Sequence, residues 1–308
     1  MLALFVAKEY SCSTNAAGKE SIRQDNMRKD ITTGTTMLNV KGVALCVAIE
    51  QGDDSGPPLL LINGIGANLE LFDPFIEALD NVGEHKIGTI RFDIPGVGGS
   101  PPLRYSLRFR GLARLISEML DVVGHQEVDV LGISWGGALA QQFAHQYPSR
   151  CRRLILVSTS SGGISVPGKL SVLSKMISPR RSLDLSSMAA MAPLFYSDAF
   201  RQDTEQARSS AQLSKAPYGW GYLMQLLAGV GWTSIPWLYR LRQPTLILAG
   251  KDDAIVPPIN ARILARLIPH ARLHLFHGGH LFALTEKEPV ASLVYAFLRD
   301  ESTSGKKG

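Results

Sequence analysis

Ser134 lies at the centre of Gly132-Ile133-Ser134-Trp135-Gly136, between the apolar run 128–131 and a helix-patterned segment over 138–147. A serine hydroxyl attacks an acyl carbonyl only if a tight strand-to-helix turn lifts it clear of the fold, and glycines two residues to either side permit that turn. Such a nucleophile needs a base and an acid to orient the base. Candidates follow in the order serine, aspartate, histidine. Residues 243–250 read as a buried strand closed by Gly250, and the loop after it carries Asp252 and Asp253. A further strand over 271–276 runs into His277-Gly278-Gly279-His280. His280 is the expected base and His277 a solvated strand-end neighbour, while either aspartate suits the acid.

The apolar segment 59–62 is followed by Asn63-Gly64-Ile65-Gly66. Bare glycines there let backbone N–H groups face a carbonyl oxygen as it becomes negative, so Ile65 and Trp135 are the expected oxyanion donors. His274, His277 and His280 recur at intervals of three, yet no cysteine or carboxylate completes a recognised metal-ligand spacing. Gly64-x-Gly66 and Gly96-x-Gly98 each lack a third glycine at the required place, and neither precedes Gly-Lys-Ser/Thr. Nucleotide phosphates are therefore not expected, and this chemistry needs neither metal nor organic cofactor.

The elements that must position these residues are legible from periodicity. Strands are expected over 40–49, 59–62 and 86–92, with helices over 69–80 and through Leu112, Leu115, Ile116, Met119 and Val123 at helical spacing. A last helix shows Val290, Leu293, Val294, Phe297 and Leu298 on one stripe, with Pro289 at its start. Strands alternating with helices imply a mostly parallel central sheet flanked by helices on both faces. The alternation breaks between residues 158 and 240, where prolines and aromatics cluster. An insertion between the nucleophile strand and the acid strand overlies the site, so it is expected to be a cap, with Trp220, Trp232 and Trp237 lining an apolar substrate channel.

The expected organisation is a disordered arm over 1–36, a core over 37–160 and 241–300, a helical cap over 161–240 and a disordered tail over 301–308. With 308 residues, 45% of them hydrophobic, the chain can bury one large core. A formal charge of +5 with dispersed lysines and arginines does not suggest a nucleic-acid partner. Cys12, Cys46 and Cys151 are odd in number and widely spaced, as expected for thiols in a reducing compartment. Neither a signal segment nor an apolar run long enough for a transmembrane segment is found, so a cytoplasmic location is expected, with oligomeric state left open.

Long blocks of the chain resemble the intracellular poly(3-hydroxyalkanoate) depolymerases of the α/β-hydrolase superfamily, the type acting on medium-chain-length storage polyesters. The resemblance rests on residues 63–71, 92–100 and 132–145, and continues through 166–169, 231–235 and 279–282. It spans roughly residues 38–299. It implies an α/β-hydrolase fold with an inserted helical cap and hydrolysis of ester bonds between 3-hydroxyacyl units, releasing 3-hydroxyalkanoic acids or oligomers. Ser134 would form the acyl-enzyme, with His280 and Asp253 as partners. Gly250-x-x-Asp253 followed by Ile255-Val256-Pro257 is the spacing related hydrolases show, which favours Asp253 over Asp252. The implied partners are a polyester or aliphatic ester and a storage-granule surface. Asn63 departs from the commoner histidine, and the N-terminal arm is longer than the family pattern, with Met27 and Met37 as alternative starts. A small-molecule carboxylesterase or lipase with the same triad is the nearer alternative, and a catalytically idle granule-associated protein the more distant one.

Overall fold

The computed structural model describes residues 34–53, 56–169, 171 and 219–300. The expected arm up to residue 33, the tail 301–308 and most of the expected cap, residues 172–218, lie outside the described residues.

Strands β1 (Gly34–Val40), β2 (Val43–Glu50), β3 (Leu59–Ile62), β4 (Thr89–Phe92), β5 (Val128–Ile133), β6 (Cys151–Val157), β7 (Thr245–Gly250) and β8 (Ala271–Phe276) form one sheet. Their order is β1-β2-β4-β3-β5-β6-β7-β8. The β1–β2 and β2–β4 pairs are antiparallel, and every later pair is parallel. Helices α1 (Asp73–Asp80), α2 (Phe109–Val122), α3 (Trp135–Gln146), α4 (Gly219–Gly229), α5 (Ile259–Leu267), α6 (Phe282–Thr285) and α7 (Lys287–Arg299) complete the described elements.

The central strands are largely apolar because both faces are covered. Leu59, Leu61, Leu131, Ile133, Ile155, Val157, Leu246 and Leu248 form one inner face, packed with residues of α1 and α7. On the other face α3 lies against β3, β5 and β6, and α5 against β7 and β8. Close packing of α3 depends on missing side chains: a Cβ on Gly132 would sit 2.8 Å from that of Ala140.

Several boundaries differ from the sequence expectation. Strand structure begins at Gly34 rather than at residue 40, because Gly34, Thr35 and Thr36 pair with β2 along an exposed edge and carry no apolar signal. Its turn, Lys41-Gly42, has positive φ at both residues (49° and 89°), the geometry that suits a two-residue hairpin. The helix expected over 69–80 is split into a 3-10 turn, Leu69–Phe72, and α1, with Pro74 in the first turn of the latter. The strand expected from residue 86 pairs only from Thr89.

Candidate active site

The parallel strands β3 and β5–β8 deliver their following loops to one edge of the sheet, where α/β folds place their ligands. At the end of β5, Ser134 has φ 54° and ψ −116°, a sparsely populated conformation for a residue with a Cβ. The turn is held from below. Ser134 N–H donates to the Val157 carbonyl at 2.8 Å, and Gly137 N–H donates to the Ser134 carbonyl at 3.0 Å. Gly136 has no room for a side chain, since its Cβ would collide with the Ile62 and Asn63 carbonyls. Ser134 is partly exposed.

On the neighbouring loops Asp253 and His280 meet. His280 Nδ1 lies 2.8 Å from Asp253 Oδ2, and both side chains are buried. The other carboxylate oxygen, Oδ1, accepts the N–H groups of Ile255 (2.9 Å) and Val256 (2.8 Å), which fixes the plane of the group. Asp252 is exposed, and its N–H donates to Gly278. Gly250 lets the two loops approach, because a Cβ there would strike the Gly278 and Gly279 carbonyls. His274 and His277 are exposed, with His277 Nε2 lying 3.2 Å from Lys251 Nζ.

Two consecutive residues after β6 tie these parts together, and sequence reading missed both. Ser158 Oγ donates to the His280 carbonyl at 2.8 Å, and Thr159 Oγ1 donates to the Ser134 carbonyl at 2.7 Å. Ser158 itself has φ 46°, so β6 ends, like β5, on a non-glycine residue in the left-handed region. Only tertiary approach gives these hydroxyls their role; in the sequence they are two polar residues after an apolar strand.

The turn after β3 stands beside the serine. A Cβ on Gly64 would lie 3.6 Å from Ser134 Cβ. Asn63 Nδ2 donates to the Asn68 carbonyl at 2.6 Å, so the asparagine in place of a histidine staples the turn shut. Among the described residues, the Ile65 and Trp135 N–H groups donate to no protein acceptor. Trp135 opens α3, where unpaired amides and the helix dipole favour negative charge.

The tryptophans expected to line a substrate channel are engaged in anchoring contacts. Trp232 Nε1 donates to Gln142 at 2.8 Å, and its ring packs edge-on against Phe109. Trp237 stacks on His145 with ring centres 4.2 Å apart, and that imidazole is held below its ordinary pKa by burial, then by Arg240 and Arg110. Trp220 is 49% exposed and donates to the Leu103 carbonyl at 3.0 Å.

Residues 57–287 match the family model described as the alpha/beta hydrolase fold, and the chain belongs to that family. The likeness extends to solved structures: a hydrolase from Pseudomonas aeruginosa PA01 superposes with a TM-score of 0.75 at 24% identity, covering 86% of this chain and 98% of that one. Within the family, the chain is 50% identical over 254 residues to the poly(3-hydroxyalkanoate) depolymerase of Ectopseudomonas oleovorans, covering 82% of this chain and 88% of that protein. It is a member of that depolymerase's family of ester hydrolases. A 2-hydroxy-6-oxononadienedioate/2-hydroxy-6-oxononatrienedioate hydrolase of Burkholderia vietnamiensis is a more distant relative, 27% identical over 84% of this chain and 92% of that protein.

Proposed function

We propose that this chain hydrolyses the ester bonds of medium-chain-length poly(3-hydroxyalkanoate) at the surface of intracellular granules, with Ser134 as nucleophile, His280 as general base and Asp253 as its orienting acid. The observation that carries the reading is the buried 2.8 Å contact between His280 Nδ1 and Asp253 Oδ2, on loops that share an edge with the Ser134 elbow. Half-identity to a depolymerase along most of both chains supports the polyester as substrate.

In this reading Nδ1–H donates to Asp253, which leaves Nε2 unprotonated and able to take the Ser134 proton. The serine oxygen attacks the ester carbonyl, whose oxygen becomes negative between the Ile65 and Trp135 N–H groups. One such donor contributes about 3 kcal/mol to the transition state in comparable enzymes. Collapse of the adduct breaks the ester C–O bond, and His280 returns the proton to the departing hydroxyl of the polymer chain. Water then repeats the sequence on the acyl-enzyme, releasing a 3-hydroxyalkanoic acid or oligomer and restoring the serine. No step needs a metal or organic cofactor.

The test is release of soluble 3-hydroxyacids from purified medium-chain polyester, set against turnover of short nitrophenyl esters. Polyester release that disappears in Ser134→Ala supports the proposal. Brisk turnover of small esters with an untouched polymer supports a small-molecule carboxylesterase, and failure of a serine-reactive phosphonate to label Ser134 supports an idle protein.

A further inference from the structure

Helix α4 is apolar almost throughout: Gly-Trp-Gly-Tyr-Leu-Met-Gln-Leu-Leu-Ala-Gly. Its one amide side chain, Gln225, is 1% exposed. A buried amide without hydrogen bonds costs about 1–3 kcal/mol, so a glutamine at this position calls for a reason beyond packing.

The contacts supply one. Gln225 Oε1 accepts the Gly66 N–H at 2.7 Å, and the Gln225 main-chain carbonyl accepts Trp135 Nε1 at 2.9 Å. One residue of α4 thus holds both the turn after β3 and the residue that follows Ser134. The helix is itself fixed against the core. Gly221 and Gly96 approach so closely that a Cβ on either would collide with the other, and Ser106 Oγ donates to the Met224 carbonyl at 3.2 Å.

The Gly66 N–H belongs to the peptide unit that begins at the Ile65 carbonyl. Gly66 has φ 74°, and a turn built on glycines has several backbone conformations within reach. A 2.7 Å bond from a rigid helix fixes the plane of that peptide and thereby the rotation about Ile65. The Ile65 N–H lies in the adjoining Gly64–Ile65 peptide, so anchoring its neighbour narrows the directions that N–H can take.

We infer that Gln225 is a positioning residue, through which α4 sets the Ile65 N–H in the direction required to stabilise the oxyanion. The inference rests on the reading of Ile65 as an oxyanion donor and gives the helix a task in the reaction. Gln225 Nε2 has no acceptor among the described residues, so only the carbonyl half of the amide performs this task.

The experiment compares Gln225→Met, which keeps length but removes the acceptor, with Gln225→Glu, which keeps an oxygen at the same reach. Turnover of nitrophenyl octanoate is measured beside inhibition by an alkyl boronic acid, whose serine adduct puts an oxygen in the hole. In Gln225→Met, kcat and boronate affinity are expected to fall together by about 10- to 100-fold, with KM changed less than about twofold. Gln225→Glu is expected to recover both to within about fivefold. Unchanged kcat and boronate affinity in a folded Gln225→Met would overturn the inference, as would a loss appearing only in KM. Should Gln225→Met fold poorly by circular dichroism, Gln225→Asn, one methylene too short, is read against the same criteria. If Ser134→Ala still turns over the ester, the proposed triad fails; if Ser134→Ala is inert and Gln225→Met behaves as wild type, only the role of Gln225 fails.

Discussion

On the proposed mechanism Ser134→Ala and His280→Ala are each expected to lower kcat by about 10⁴-fold or more, because triad members act as a unit. Ser134→Ala should melt close to wild type, while His280→Ala, which strands the buried Asp253 carboxylate, should melt lower. The two aspartates make a sharper comparison. Asp253 is buried against His280 Nδ1 and accepts two backbone N–H groups, while Asp252 faces solvent. On the proposed mechanism Asp253→Asn presents an amide where a carboxylate would stabilise the imidazolium, and a fall in kcat of roughly 10³- to 10⁴-fold is expected. Asp252→Asn should remain within about twofold of wild type in the same assay, and equal losses in the two variants would refute the assignment. The serine motif, His280 and the two aspartate candidates were legible from spacing. Ser158, Thr159 and Gln225 were not, because a hydroxyl or an amide acquires its task only when a distant carbonyl or N–H is brought beside it.

Among the elements, the β5–β6 pair carries the most exposed risk. Asp129 on β5 is buried and bound by Arg152 on β6, whose Nε donates to Oδ1 at 2.9 Å. Burial is the strongest influence on Asp129 and raises its pKa above the ordinary 3.8, while the hydrogen bond and charge of Arg152 pull it down. A carboxyl raised in the folded state contributes its stability fully below the unfolded pKa and loses it as pH rises through the folded one. Arg152→Met removes the opposing pull and raises the folded pKa further. It is expected to cost about 2–3 kcal/mol at pH 7, with a smaller difference from wild type at pH 5, measured by urea unfolding at both. Element type was readable where a strand is an almost unbroken apolar run, as in β3 and β7. Periodicity failed at Gly34-Thr35-Thr36, where an edge strand exposes polar residues, and at residues 69–72, where the hydrophobic spacing cannot tell a 3-10 turn from the α-helix after it.

Across the molecule, the two thiols among the described residues are shielded, Cys12 lying outside them. Cys46 and Cys151 are buried, and burial pushes the Cys151 thiol well above its ordinary pKa, so little thiolate is available to react. A disulfide reagent is expected to leave both unmodified in the native protein and to titrate them after guanidinium is added. Rapid modification of either without denaturant would mean that the sheet opens locally around β2 or β6. No helix among the described residues is long and apolar enough to cross a membrane. Within this well-packed body the positive φ of Ser134 stands out as a local tension, since the same angle is nearly free for a residue without a side chain. Ser134→Gly should therefore be inert yet melt no lower than its parent, and a laboratory lineage chosen for heat resistance alone would have no reason to keep the hydroxyl.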